Sequence, residues 1–184
     1  MNGAGQFVPV RLETTRLYLR PIEPGDIEAI VSGCSDELTQ RWLPLPRPYT
    51  RSEAIAWSSR SESIRSSGQG LPCAAALKDT DEMVAWIGLK KTDWASRVTE
   101  VGYWAVPEHR GQGYVTEGTR ALSAWALTQG MERVELVAAP ANVASNRVAV
   151  RAGFYFEGVK RNAGHIHEGR VDLNLYSLIA LDLF

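Results

Sequence analysis

From Thr99 to Val106 the chain is apolar and aromatic almost without interruption, through Val101, Gly102, Tyr103, Trp104 and Ala105, and it stops at Pro107. Such residues suit a pleated surface, so the pattern predicts a strand ending at the proline. Val115, Thr119, Leu122, Trp125 and Ala126 then recur at helical spacing until Gly130. That spacing predicts a helix, with a glycine-rich turn between strand and helix.

The other elements order themselves around this unit. Met1–Pro9 is small and polar, the composition of a frayed terminus. Leu17 and Leu19 alternate with Arg16, Tyr18 and Arg20, a first strand that ends at Pro21. Pro24-Gly25-Asp26 opens a helix to about Ser32, with Ile27, Ile30 and Val31 on one side. Pro44, Pro46 and Pro48 forbid a continuous helix over Ser35–Thr50, which is expected to be an ordered loop carrying Trp42. Thr50-Arg51-Ser52-Glu53 is a capping-box pattern that starts a helix running to about Ser66. Leu71–Leu77 and Met83–Lys90 read as a hairpin around Lys78–Glu82. Arg133–Ala138 is a buried strand, and Pro140-Ala141-Asn142 leads into a short helix ending near Gly153. Phe154–Val159 and His167–Leu181 close the chain as an antiparallel pair around Asn162-Ala163-Gly164. The predicted order is β-α-α-β-β-β-α-β-α-β-β, an α/β (α+β) arrangement with helices on the faces of a mixed sheet.

Composition narrows the function classes. At 184 residues, 45% hydrophobic and 22% charged, residues 1–184 are expected to form one domain with a sizeable core. A formal net charge of -1 argues against nucleic-acid binding through a broad basic face. No apolar run approaches membrane-spanning length, and no basic patch precedes an apolar core at the N-terminus. A cytoplasmic protein without a membrane partner is expected. Cys34 and Cys73 sit in no metal spacing, and His109, His165 and His167 make no metal set, so no metal is expected.

The turn itself carries the chemistry. It reads Val106-Pro107-Glu108-His109-Arg110-Gly111-Gln112-Gly113-Tyr114-Val115-Thr116-Glu117. A helix opens with N–H groups that have no partner within it, and its dipole places partial positive charge there. Gly111 and Gly113 admit a close anion, and Arg110 adds a permanent charge, so the stretch predicts a pyrophosphate cradle. A P-loop is excluded because no Gly-Lys-Ser/Thr follows. A dinucleotide fingerprint fits in part. Thr116 stands where a third small residue belongs, while Glu135 lies at about the expected distance, roughly 20 residues on.

Arg110-Gly111-Gln112-Gly113-Tyr114-Val115 also resembles the Arg/Gln-x-x-Gly-x-Gly/Ala signature of the GNAT acetyltransferases, with Val115 in place of the usual small residue. Asn142-Val143-Ala144-Ser145-Asn146-Arg147-Val148 through Gly153-Phe154 is similar to a block of the ribosomal-protein (RimJ/RimL-like) branch. Leu12–Pro21 and Gly169–Leu178 resemble that branch's opening and close. The resemblance runs from about Leu12 to Leu183. It implies a GNAT fold with a mostly antiparallel mixed sheet of about seven strands flanked by about four helices. It also implies that the strand before the cradle and strand Arg133–Ala138 splay apart, admitting the pantetheine arm of acetyl-CoA.

The implied reaction is acetyl transfer from coenzyme A to a primary amine, in this branch a peptide or protein N-terminal α-amine. A small-molecule amine such as an antibiotic or polyamine, or a non-catalytic coenzyme A-binding module, are the alternatives. Relatives suggest a homodimer. The implied coenzyme set is Trp104, Ala105, Val106, Arg110, Gly111, Gln112, Gly113, Tyr114, Val115, Thr116, Asn142 and Ser145. Glu100 is the candidate base, with Glu108 its rival, and Glu117 reads as structural beside the helix dipole. Many GNAT enzymes carry a tyrosine acid on the last helix where this chain has Ala149. Ser145 is the implied replacement at the sulfur; its alternative role is a local backbone hydrogen bond. Asn142 is the implied amide ligand to the pantetheine or to the splayed strand; its alternative role is a helix N-cap. Trp42 and Trp94 are candidates for an aromatic wall around the acceptor.

Overall fold

The computed structural model describes residues 5–183. The strands are β1 (Leu12–Glu13), β2 (Leu17–Arg20), β3 (Leu71–Leu77), β4 (Met83–Asp93), β5 (Val98–Ala105), β6 (Arg133–Ala138), β7 (Tyr155–Ile166) and β8 (Gly169–Leu178). The α-helices are α1 (Ile27–Ser35), α2 (Glu37–Trp42), α3 (Arg51–Ser58), α4 (Ser61–Ser66), α5 (Tyr114–Thr128) and α6 (Val143–Arg151). The eight strands form one open mixed sheet in the order β1-β2-β3-β4-β5-β6-β8-β7. Every pairing is antiparallel except β5 with β6.

Apolar residues on the two faces of the sheet build two cores. Leu17, Leu19, Ile87, Val101 and Leu136 pack with Leu122 and Ala126 of α5 and Ala149 of α6. Burying a side chain such as Leu122 contributes about 1.5–3 kcal/mol. On the other face Trp104, Ala74 and Met83 pack with Ile27, Ile30 and Cys34 of α1 and Ala54 of α3. Gly118 lets α5 lie close on the sheet: a Cβ there would come within 2.4 Å of Ile87 Cδ1.

Besides the short added strand β1, the structure departs from the sequence expectation in four places. Residues 35–50 contain α2, because Asp36 caps it by accepting from the Thr39 N–H at 2.8 Å before the prolines begin. The helix expected over 50–66 is split into α3 and α4 at Ser59–Arg60, although its capping box is present. The closing hairpin turns at His167–Glu168, not at Asn162–Gly164. Those three residues lie inside β7 at a register shift, where Asn162 takes a φ of 55° and its N–H donates to Asp172 at 2.7 Å. Finally, the expected fraying is contradicted over Gly5–Pro9. Phe7 is buried against Trp94 and Trp125, and its carbonyl accepts from Arg65 at 2.6 Å. Residues 1–4 lie outside the described residues.

Candidate active site

β5 and β6 are the only parallel neighbours among the described strands, and they separate. They pair at Val98–Arg133, Thr99–Val134 and Glu100–Glu135, and no further. β5 continues to Ala105 held by β4, and β6 continues to Ala138 held by β8. The facing edges of Val101–Ala105 and Leu136–Ala138 thus lose each other as partners. A cavity of about 620 Å3 opens between them and runs to the start of α5.

The cradle stands at the open end. Pro107–His109 make one tight turn, and Gly111 and Gly113 take φ values of 78° and 84°. Those left-handed values favour glycine and bring the chain into α5. Its first backbone bond runs from the Glu117 N–H to the Gly113 carbonyl at 3.0 Å, so the N–H groups of Tyr114, Val115 and Thr116 have no carbonyl within the helix. Glu117 locks the cradle to the turn after β1. It accepts from Thr14 Oγ1 at 2.6 Å, Arg16 N at 2.8 Å and Arg16 Nε at 2.7 Å. Burial pushes this carboxyl's pKa up, but those hydrogen bonds outweigh it and hold the group below the usual carboxylate range.

Most of the residues expected at the site line the cavity: Glu100, Trp104, Ala105, Arg110, Gly111, Gly113, Tyr114, Val115, Thr116, Asn142 and Ser145. Val106 and Gln112 do not. Val106 is buried in the second core, its N–H donates to the Val84 carbonyl at 2.9 Å, and its carbonyl accepts from His109. The Gln112 carbonyl accepts from Arg16 Nη1 at 2.9 Å. Arg110 is present but not a free charge: its guanidinium pairs with Asp36 and donates to Thr39 Oγ1 at 2.9 Å, tying α2 to the cradle. Asn142 caps α6, accepting from the Ser145 N–H at 3.1 Å. Glu108 is exposed in the turn. Glu135 is held by Arg133 Nε at 2.9 Å outside the cavity, which removes the ribose-binding acid of the dinucleotide alternative.

Glu100 occupies the fork of the two strands. It is 7% exposed, with Lys90 Nζ and Lys91 Nζ each 2.9 Å from its oxygens. Consecutive strand residues normally point to opposite faces. Here the β4–β5 register shifts after Lys90, and Lys91 takes a φ of 51°, so both lysines reach one carboxylate. Burial raises the Glu100 pKa, but the two ammonium groups outweigh it and hold the group below its ordinary value. Glu100 is therefore ionised at neutral pH and a weaker base than a free glutamate.

The strand also supplies residues that sequence reasoning missed. Tyr103 Oη lies 2.7 Å from Ser145 Oγ and 3.2 Å from the Ser145 carbonyl. Its place inside the strand gave no signal, because the partner is 42 residues away. Arg147 and Arg151, one turn apart on α6, bring positive charge to the cavity. Ala163, Gly164, His165 and Ile166 of β7 line the same cavity, as do Trp42 and Leu43. His167 Nε2 meets the Leu45 carbonyl at 2.9 Å and joins the β7–β8 hairpin to the loop after α2. Trp94 is elsewhere, donating to the Gly68 carbonyl at 2.8 Å.

Residues 16–155 match the family model described as an acetyltransferase (GNAT) domain. The chain is similar to an uncharacterised N-acetyltransferase of Bacillus subtilis, 30% identical over 91% of this chain and 96% of that one. It is also similar to the ribosomal-protein-serine acetyltransferase of Escherichia coli, 31% identical over 54% of this chain and 56% of that one. Among solved structures, Mycobacterium smegmatis RimJ in complex with CoA-disulfide superposes with a TM-score of 0.85 at 21% identity, covering 95% of this chain and 90% of that chain. At that identity the likeness concerns the fold.

Proposed function

The chain belongs to the GNAT acetyltransferase family and is an acyltransferase, and from that premise we propose that it transfers acetyl from acetyl-CoA to a peptide or protein N-terminal α-amine in the cytoplasm. The observation that carries the coenzyme assignment is the parting of β5 and β6 after Glu100 and Glu135, with the glycine cradle at its mouth. Unpaired strand edges suit a slender amide-bearing arm, which can take up their hydrogen bonds like an added strand. The open amides of Tyr114–Thr116 and the guanidinium groups of Arg147 and Arg151 suit its phosphates.

The bound thioester supplies an activated acetyl group: the amine nitrogen forms the C–N bond, the C–S bond breaks, and the electron pair leaves on sulfur. The protein's task is to place the amine at the fork and collect its proton. Deprotonating a lysine amine at pH 7 costs about 4–5 kcal/mol, whereas a peptide α-amine costs about 1 kcal/mol. A weak base is adequate for the second and not for the first. Glu100, acting through a water, is such a base. Trp42 and the β7–β8 hairpin line the space for the acceptor. Ser145 faces the sulfur, while Ala149, where a tyrosine acid would stand, is fully buried in the core.

Calorimetry with acetyl-CoA and thiol release against a panel of peptide and small amines test the proposal together. Micromolar binding with turnover on α-amines is expected. Tight binding without turnover on any amine would favour the coenzyme-binding module, a reading that the Ala149 position supports. Turnover confined to small amines would move the acceptor class.

A further inference from the structure

We infer that Tyr103 is a positioning residue that turns the Ser145 hydroxyl into a hydrogen-bond donor for the leaving sulfur. This inference rests on the coenzyme assignment above. The two oxygens are 2.7 Å apart, and both residues line the cavity between the diverging strands. Tyr103 follows the last paired position, Glu100, with Val101 and Gly102 between them. Ala138 holds the equivalent place on β6, so Tyr103 stands well inside the open part of the fork.

Each hydroxyl has one hydrogen to donate. In one arrangement the phenol donates to the Ser145 carbonyl at 3.2 Å and accepts from Ser145 Oγ, which spends the serine hydrogen on the tyrosine. In the other the phenol donates to Ser145 Oγ, and the serine hydrogen is free to point into the cavity. Negative charge developing on a sulfur there selects the second arrangement, because a donor aimed at that charge stabilises it. The Ser145 N–H donates to Asn142 Oδ1 at 3.1 Å, which anchors the backbone beneath the hydroxyl. Burial pushes the Tyr103 phenol up to about 12. It therefore keeps its proton while a thiol of about 8.5 ionises, and the pair donates a hydrogen bond without passing a proton on. In this chain two hydroxyls from β5 and α6 replace the tyrosine absent at Ala149.

The test is the pKa of the thiol in the binary complex with coenzyme A, followed by thiolate absorbance. It requires no acceptor and no turnover. In the wild-type complex the thiol should titrate below free coenzyme A. Tyr103→Phe and Ser145→Ala should each raise it by about one unit, a tenfold loss of thiolate stabilisation, and the double variant should raise it no further. Coenzyme affinity should be little changed, and kcat should fall about tenfold in each variant. If Y103F binds coenzyme A normally and its thiol titrates as in the wild-type complex, Tyr103 is structural and the inference is wrong. Additive shifts in the double variant would equally dissolve the pair. Failure of the wild-type protein to bind coenzyme A would instead overturn the coenzyme assignment, and this inference with it.

Discussion

Glu100→Gln tests the division of labour at the fork most directly. The substitution keeps the side chain's shape and removes its charge, so Lys90 and Lys91 lose a shared partner at 2.9 Å each. Hydrogen bonds to a charged group are worth about 1.5–3 kcal/mol each where both partners are buried. The lysine side chains are 42% and 70% exposed and can return to water, which reduces the expected stability loss to about 1 kcal/mol in total. For a chain of this size that is a fall in Tm of about 2–4 °C. General-base catalysis contributes about 10²–10⁴ in rate, and a carboxylate held below its ordinary pKa belongs at the lower end, so kcat should drop about a hundredfold. Coenzyme affinity should hold, since the phosphate cradle lies at the other end of the cavity. The assay is thiol release at saturating acetyl-CoA with an α-amine peptide, from pH 5 to 9. Held below its ordinary value, Glu100 adds no titration of its own in the neutral and alkaline part of that range. The rise in rate with pH should report the acceptor amine, near about 8, in both proteins. If E100Q turns over as fast as the wild-type protein, the proton leaves by another route and Glu100 only anchors two lysines.

Three further outcomes follow from the same geometry. Gly113→Asp should abolish coenzyme binding in calorimetry, since it adds a negative charge in the cradle and forces an L side chain into a φ of 84°, a cost of about 1–2 kcal/mol; unchanged affinity would remove the cradle from the site. Asn146→Ala should destabilise the protein by about 1–3 kcal/mol in urea unfolding. It deletes donors to Ala139 and Asn142 and leaves Asn174 Nδ2 and Tyr176 Oη, both at 2.7 Å, without their acceptor. Glu117 is held below its unfolded pKa, so its contribution is present above the ordinary carboxylate range and is lost as pH falls through the folded value. Glu117→Gln should therefore lower Tm at pH 7 and leave a shallower loss on acidification than the wild-type protein shows.

How much was legible depended on the distance between partners. The strand–turn–helix unit was readable because its signals are local: Pro107, two glycines and a helical repeat lie within a few turns of each other. The capping box at Thr50 was readable for the same reason, spanning three residues, and so was the cap at Asn142, there the alternative to a coenzyme ligand. The hairpin turn was misplaced because Asn162-Ala163-Gly164 carries ordinary turn composition. A bulge held by Asp172 absorbs it, and the strand runs on to Ile166. The N-terminal segment looked frayed because its anchor, Phe7 among Trp94 and Trp125, is assembled from three distant stretches.

The sequence by itself determined the family, most of the order of the elements and the glycine turn that opens α5, because these follow from short motifs, periodicity and backbone constraints at glycine and proline. Tertiary structure decided which charges are available at the site. It spent Arg110 on Asp36, placed two lysines on Glu100 through a bulge, and set Tyr103 against Ser145. Electrostatic character depends on what stands within a few ångströms, and those neighbours come from strands and helices that only folding brings together.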